Sequence, residues 1–182
     1  MKARSTSTLA LLLLATLLTG CGVTASSRNP GYVHFDASAY DGLTRDTSIS
    51  IGPSVLRIAA AGVDEDPAAK ELLRNLDGVR VQVFRLEASA DLERIARDFE
   101  RGTDFSDEQW QRIVRVVDDE TRAFVFLKHS DEAILGLAIL AVDDTELVFV
   151  NVMGEMNTEA LAAPSHAIPE RHASAVRHAA LN

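Results

Sequence analysis

Three apolar segments follow one another late in the chain with almost nothing between them: Thr121–Lys128, Glu132–Val142 and Glu146–Val152. The links are HSD and DDT, both short and polar. A parallel pair of strands needs a crossover of about a dozen residues or more, whereas an antiparallel pair closes through a tight hairpin. Links this short commit the region to antiparallel hairpins. Everything upstream then has to pack against that sheet.

Ahead of the hairpins the period alternates between helix and strand. Ser48–Ile51 reads as a short strand, followed by an apolar stretch, Val55–Ala61. Asp66-Pro67 has the form of a helix start, an N-cap acid before a proline whose missing N–H does no harm in the first turn. Ala69, Leu72, Leu73 and Leu76 then recur at the i, i+3, i+4, i+7 spacing of one buried face, and Asp77-Gly78 ends the helix. Val79, Val81 and Val83 alternate with Arg80, Gln82 and Phe84, the period of a strand with one buried face. Ser89 opens a further helix with Leu92, Ile95, Ala96 and Phe99 on one side. Ser106 and Gln109 have capping-box spacing and lead into Trp110. From there Trp110, Ile113, Val114 and Val117 fit a helix face, but the β-branched residues of IVRVV favour a strand, the reading adopted. Gly154 is expected to break the last strand and Asn157 to cap a short helix through Leu161. The architecture expected is α+β, a largely antiparallel sheet with helices packed on one face.

The N-terminus speaks to location. Lys2 and Arg4 precede an apolar run, Leu9–Leu18. Its ten residues fall short of the roughly 20 that cross a bilayer and match the apolar region of a cleaved signal, about 7–15 residues. Leu18-Thr19-Gly20-Cys21 resembles a bacterial lipobox. The resemblance implies lipidation of the Cys21 thiol, cleavage after Gly20 and acylation of the new amino terminus. Several acyl chains, at about 0.8 kcal/mol per buried methylene, make a durable anchor. Gly22, rather than an aspartate, follows the cysteine; resemblance to proteobacterial sorting patterns then implies the outer membrane, facing the periplasm.

The chain thus divides into a signal peptide (1–20), a lipid-anchored flexible tether (21–47), a globular domain (48–163) and an Ala/His-rich tail (164–182). A tether of that length spans about 25–30 Å root-mean-square. Tyr32, Phe35 and Tyr40 interrupt it and are expected to dock on the domain. Residues 1–20 hold Lys2 and Arg4 and no acid, so their removal turns 18 basic residues into 16 against 27 acidic, a net charge of −11. That balance argues against nucleic acid, whose binders carry basic patches. Cys21 is the only cysteine, which excludes a disulfide within the chain and a zinc–thiolate site.

LRNLDGVRVQVFR (Leu73–Arg85), the W-x-x-I-V-R-V segment from Trp110 and GLAILAVDDTELVFVNVMGEMNTEAL (Gly136–Leu161) together resemble a bacterial lipoprotein family, catalogued as domain of unknown function 4252. The similarity covers most of 48–163, and its motifs are structural: a glycine before a strand, a tryptophan and a strand–Asn–x–x–Gly turn. It implies no catalytic residues. The histidine-bearing tail departs from the family pattern.

Candidate chemistry resolves into plainer readings. Asp118-Asp119-Glu120 and Asp143-Asp144 lie between strands, as solvated turns do. Asp64-Glu65-Asp66 lacks the alternating ligands and the glycine of a calcium loop. His129, Ser130 and Asp131 share one hairpin tip, whereas a triad needs nucleophile, base and orienter held by separate elements. His166, His172 and His178 recur every six residues, a step that turns a helical side chain by about 240° and points the three apart. Gly78, Gly136 and Gly154 are isolated rather than a phosphate loop. Asn151 is expected to hydrogen-bond the turn at Gly154. The expectation is therefore a non-enzymatic lipoprotein without metal or cofactor. It is held at the membrane by its lipid, and its sheet face or edge binds another envelope protein. The alternative is a periplasmic enzyme or small-ligand binder with an unrecognised site.

Overall fold

The computed structural model of the chain describes residues 22–101, 109–118, 121–130 and 133–156. In chain order the elements are β1 (Leu43–Ile51), α1 (Pro53–Ala61), α2 (Pro67–Asn75), β2 (Leu76–Leu86), α3 (Leu92–Arg101), β3 (Trp110–Val117), β4 (Arg122–His129), β5 (Ile134–Val142) and β6 (Glu146–Met156). The fold is α+β. Its six strands form one sheet in the order β1-β2-β6-β5-β4-β3, and every neighbouring pair is antiparallel. The hairpins β3 to β6 wind inward from one edge, so the last strand comes to rest beside β2. The segment from Trp110 is a strand, as its β-branched content required.

The helices are divided between the two faces of the sheet, where the sequence reading put them on one. α3 turns Ile95, Ala96 and Phe99 onto the face that carries Phe84, Phe124, Leu140 and Phe149. α1 and α2 pack on the other, with Leu56, Leu72 and Leu73 against Val79, Leu137 and Val152. Caps set the ends of these helices. Asp66 accepts the Ala69 N–H at 3.0 Å, as expected at the start of α2. For α3 the cap is Asp91, which accepts the Arg94 N–H at 2.8 Å, rather than Ser89. α2 ends at Asn75 because Leu76 already adopts extended backbone and opens β2.

The segment read as a tether is part of the fold. Residues 31–36 cross the α3 face of the sheet, a 3-10 turn follows at Ala37–Ala39, and β1 starts at Leu43 rather than Ser48. Val33, Phe35 and Tyr40 are buried, Phe35 to 1% exposure. The Phe35 ring lies 5.3 Å from those of Phe84 and Phe99 and 5.4 Å from that of Phe149. Four aromatic rings meet at one point, and one comes from the supposed linker. Close approach needs small residues: a Cβ on Gly31 would stand 2.0 Å from the Leu135 carbonyl oxygen, and one on Gly136 2.8 Å from Gly31 Cα.

That segment and α3 together make one side of β2 core. Gln82 and Phe84 are buried, while Val81 and Val83 are only half-buried. The valine alternation marks a strand but not its inner face. Trp110 is half-buried on an edge strand. It packs at the rim of the core with Leu92, where a Cβ on Gly136 would come within 3.1 Å of its Cη2. β6 does not break at Gly154 but runs on to Met156, with Gly154 at φ +135°. The expected turn at Ser106 and the helix from Asn157 lie outside the described residues, as does the tail.

Candidate interaction surface

The face opposite α3 is built from straight rows of aliphatic side chains crossing all six strands. The strand registers place Ile49, Val81, Val150, Ile139, Val125 and Val114 side by side in one row. A neighbouring row runs Thr47, Val83, Val148, Ala141, Ala123 and Val116. At a strand spacing of about 4.8 Å each row is about 24 Å long. A third row, from Ile51 through Val79 and Val152 to Leu127, is the one on which α1 and α2 sit. The first two rows belong to neither buried cluster. Their central residues are half-buried by one another, and their ends stand open, Ile49 at 47% and Val114 at 40% exposure. Neither row contains a charged residue. The largest apolar patch on an ordinary monomer is about 300–600 Å² and is often functional.

The edges of the sheet are less inviting than its face. Register shifts between Arg45 and Thr47 in β1 and between Arg112 and Val114 in β3 put a bulge in each outer strand. Bulges twist an edge away from further pairing. Face rather than edge is the surface suited to a partner.

The acids and histidine singled out from sequence are spread apart. Asp118 closes the β3–β4 connection, its carboxylate accepting the Thr121 N–H at 2.6 Å; Asp119 and Glu120 lie outside the described residues. Asp143 closes the β5–β6 turn. Its carboxyl is held below the ordinary carboxylate range by the Thr145 backbone N–H first, joined by the Thr145 hydroxyl and the Glu146 N–H. Asp64 pairs with Lys70 at 3.3 Å, and Asp66 caps α2. His129 is exposed, and Ser130 Oγ serves the hairpin backbone at Ala133. Asp131 and the three tail histidines lie outside the described residues. Among those described, no group of three or more His, Cys, Asp or Glu is placed to hold a metal ion. A cleft of about 400 Å³ lies beside Gly22, lined by Thr24, Ser26, Arg28, Asn29, Pro53 and Asp77.

Asn151 is structural, with different partners from those expected. Fully buried on β6, it accepts the Val33 N–H at 3.1 Å through Oδ1. Its Nδ2 donates to the carbonyls of Gly31 at 3.0 Å and Leu137 at 3.3 Å. It ties the N-terminal segment to the sheet rather than the turn at Gly154.

The family model described as Domain of unknown function (DUF4252) matches residues 40–163. The chain belongs to this family. No curated protein and no solved structure matches it. The DUF4252 match takes in all six strands from within a few residues of the start of β1, and so the whole of the aliphatic face. Val33 and Phe35, which complete the core on the other side, lie ahead of the matched residues. Among the described residues of this DUF4252 protein, no helix is long and apolar enough to cross a membrane.

Proposed function

We propose that this DUF4252 protein is a lipoprotein of the cell envelope, anchored through Cys21 in the outer membrane and facing the periplasm, that acts as a non-catalytic interaction module. The anchor rests on the signal-like N-terminus and on the lipobox-like Leu18–Cys21. The interaction reading rests on one observation, the open aliphatic rows from Ile49 to Val114. β-branched residues in a flat row present apolar area with no hydrogen-bonding group and no charge. Such a surface suits an apolar helix or sheet face of another envelope protein, and suits neither a polar substrate nor a nucleic acid.

The two halves of the proposal are tested separately. Cys21→Ser should leave the membrane fraction or accumulate as an uncleaved precursor; a variant that matures and still sediments with membranes would refute the anchor. For the face, a photoreactive phenylalanine analogue in place of Ile139, at the centre of the row from Ile49 to Val114, should crosslink to an envelope protein in living cells. The same analogue in place of Asp144, on the exposed β5–β6 turn, should not. Adducts confined to the chain's own residues 157–182 would show that the face is covered from within, and would overturn the module.

A further inference from the structure

We infer that the anchored protein has no tether, and that the outer stripe of α1 rests on the phospholipid surface; this orientation depends on the acylation of Cys21 proposed above. Consecutive Cα atoms are about 3.8 Å apart, so Gly22 follows the lipid-bearing residue at once, and Gly22 is already fixed to the domain. Its carbonyl accepts the Ser54 N–H at 2.9 Å, and the Val23 carbonyl accepts the Gly52 N–H at 2.6 Å. The Ala25 N–H donates to Ser50 Oγ at 3.0 Å, and Asn29 Nδ2 donates to Asp77 Oδ2 at 2.9 Å. The packing leaves no room for a side chain at the crossing: a Cβ on Gly52 would stand 2.3 Å from the Gly22 carbonyl oxygen. The lipid therefore enters the membrane directly beneath the first turn of α1.

α1 shows the bilayer an unusual side. Leu56 and Ala60 bury its inner side. Val55, Ile58, Ala59 and Gly62 follow the i, i+3, i+4, i+7 spacing of a single stripe, and all four are exposed. Ile58 is 74% exposed, and Val23, beside the first turn, 52%. A surface helix ordinarily turns polar residues outward, but this stripe carries none. Arg57 is the one charged residue in the helix, and it flanks the stripe where a lipid phosphate would lie. The acids of the following loop have other partners, Asp64 with Lys70 and Asp66 with the first turn of α2. Glu65 is exposed at the rim. The point where the lipid enters and the stripe of outward apolar residues share one end of the fold, and a bilayer covers both.

The opposite end projects away. The Asp143–Thr145 turn sits beside Leu86, and β2 runs from Leu76 to Leu86, roughly 33 Å at strand rise. α1 and α2 occupy the membrane end of the aliphatic face, so the two open rows rise from just above the headgroups.

The orientation is read by spin labels on the full chain, processed in bacteria and reconstituted in phosphatidylethanolamine/phosphatidylglycerol vesicles, with its mass checked for the acyl groups. A nitroxide on Ile58→Cys should meet dissolved oxygen more readily than a water-soluble nickel chelate, and one on Asp144→Cys the reverse. A Gly-Ser linker of about ten residues between Cys21 and Gly22, spanning about 17 Å, should abolish the oxygen preference at position 58 while the protein stays acylated and membrane-bound. A label at 58 that sits in water without the linker, on acylated protein, overturns the orientation and leaves the anchor standing. Protein that lacks the acyl mass overturns the anchor, and the orientation with it.

Discussion

Phe35→Ala should cost the domain about 3–5 kcal/mol, the usual result of truncating a buried Phe, against the roughly 5–15 kcal/mol that holds a domain folded. The residue is 1% exposed and touches rings from β2, α3 and β6 at once. Its removal leaves a cavity bounded by three elements that cannot close together on it. Urea unfolding of the soluble chain lacking residues 1–21 measures the loss as a lower midpoint at unchanged slope. A tether would give the opposite result. Substitutions on exposed, unstructured chain stay within about 0.5 kcal/mol, and a change that small would return residues 22–42 to the status of a linker.

That segment shows where the sequence stops being informative. The hairpins β4 to β6 are legible because a three-residue link leaves no other topology. α2 is legible because Asp66-Pro67 fixes its start, and the buried side of α3 follows from its period. These are local signals. Residues 22–42 have none, because their order comes from contacts with residues distant along the chain, from Ala25 with Ser50 to Val33 with Asn151. The one available cue is composition: GYVHFDASAY packs Val33, Phe35 and two tyrosines into ten residues, far more apolar weight than a disordered linker carries. The faces of β2 were ambiguous for a related reason. Val81 and Val83 look more core-like than Gln82, and it is the covering segment together with α3 that makes the Gln82 side the inner one.

The aliphatic rows could not have been found as a motif. A row crosses the sheet at right angles to the chain, so its members stand far apart in sequence, Ile49 and Val150 at its extremes. Each strand contributes one residue, and that residue looks like any other strand valine. Only the registers align them, and those depend on bulges at Asp46 and Ile113 that shift the outer strands into step. The acids failed as a site for the converse reason. They are close in sequence, but Asp118 and Asp143 each close a separate turn, Asp66 caps α2 and Asp64 pairs with Lys70.

The second large effect is expected at Asn151. Asn151→Leu keeps the size of the side chain and removes all of its hydrogen bonds. The Val33 N–H and the Gly31 carbonyl would then lie against the sheet without partners, since Asn151 supplies the bonds from inside the fold. An orphaned buried polar group costs about 1–3 kcal/mol, so the variant should lose about 2–5 kcal/mol, more than the bonds themselves contribute. Because the same peptide groups carry Phe35 into the core, the two losses should not add. Phe35→Ala combined with Asn151→Leu should cost less than the sum of the single variants, the signature of one coupled unit. Additive losses would mean that the asparagine and the aromatic cluster act independently. Asn151→Asp separates the bonds from the shape. A carboxyl in that buried place has its folded-state pKa raised by desolvation, so above about pH 4 the unfolded chain ionises while the folded chain holds its proton. Stability should then fall as pH rises, by up to about 1.4 kcal/mol per unit, and be best preserved in acid. A pH-independent Asn151→Asp would place the side chain in water, and the clamp on residues 31–33 would be refuted.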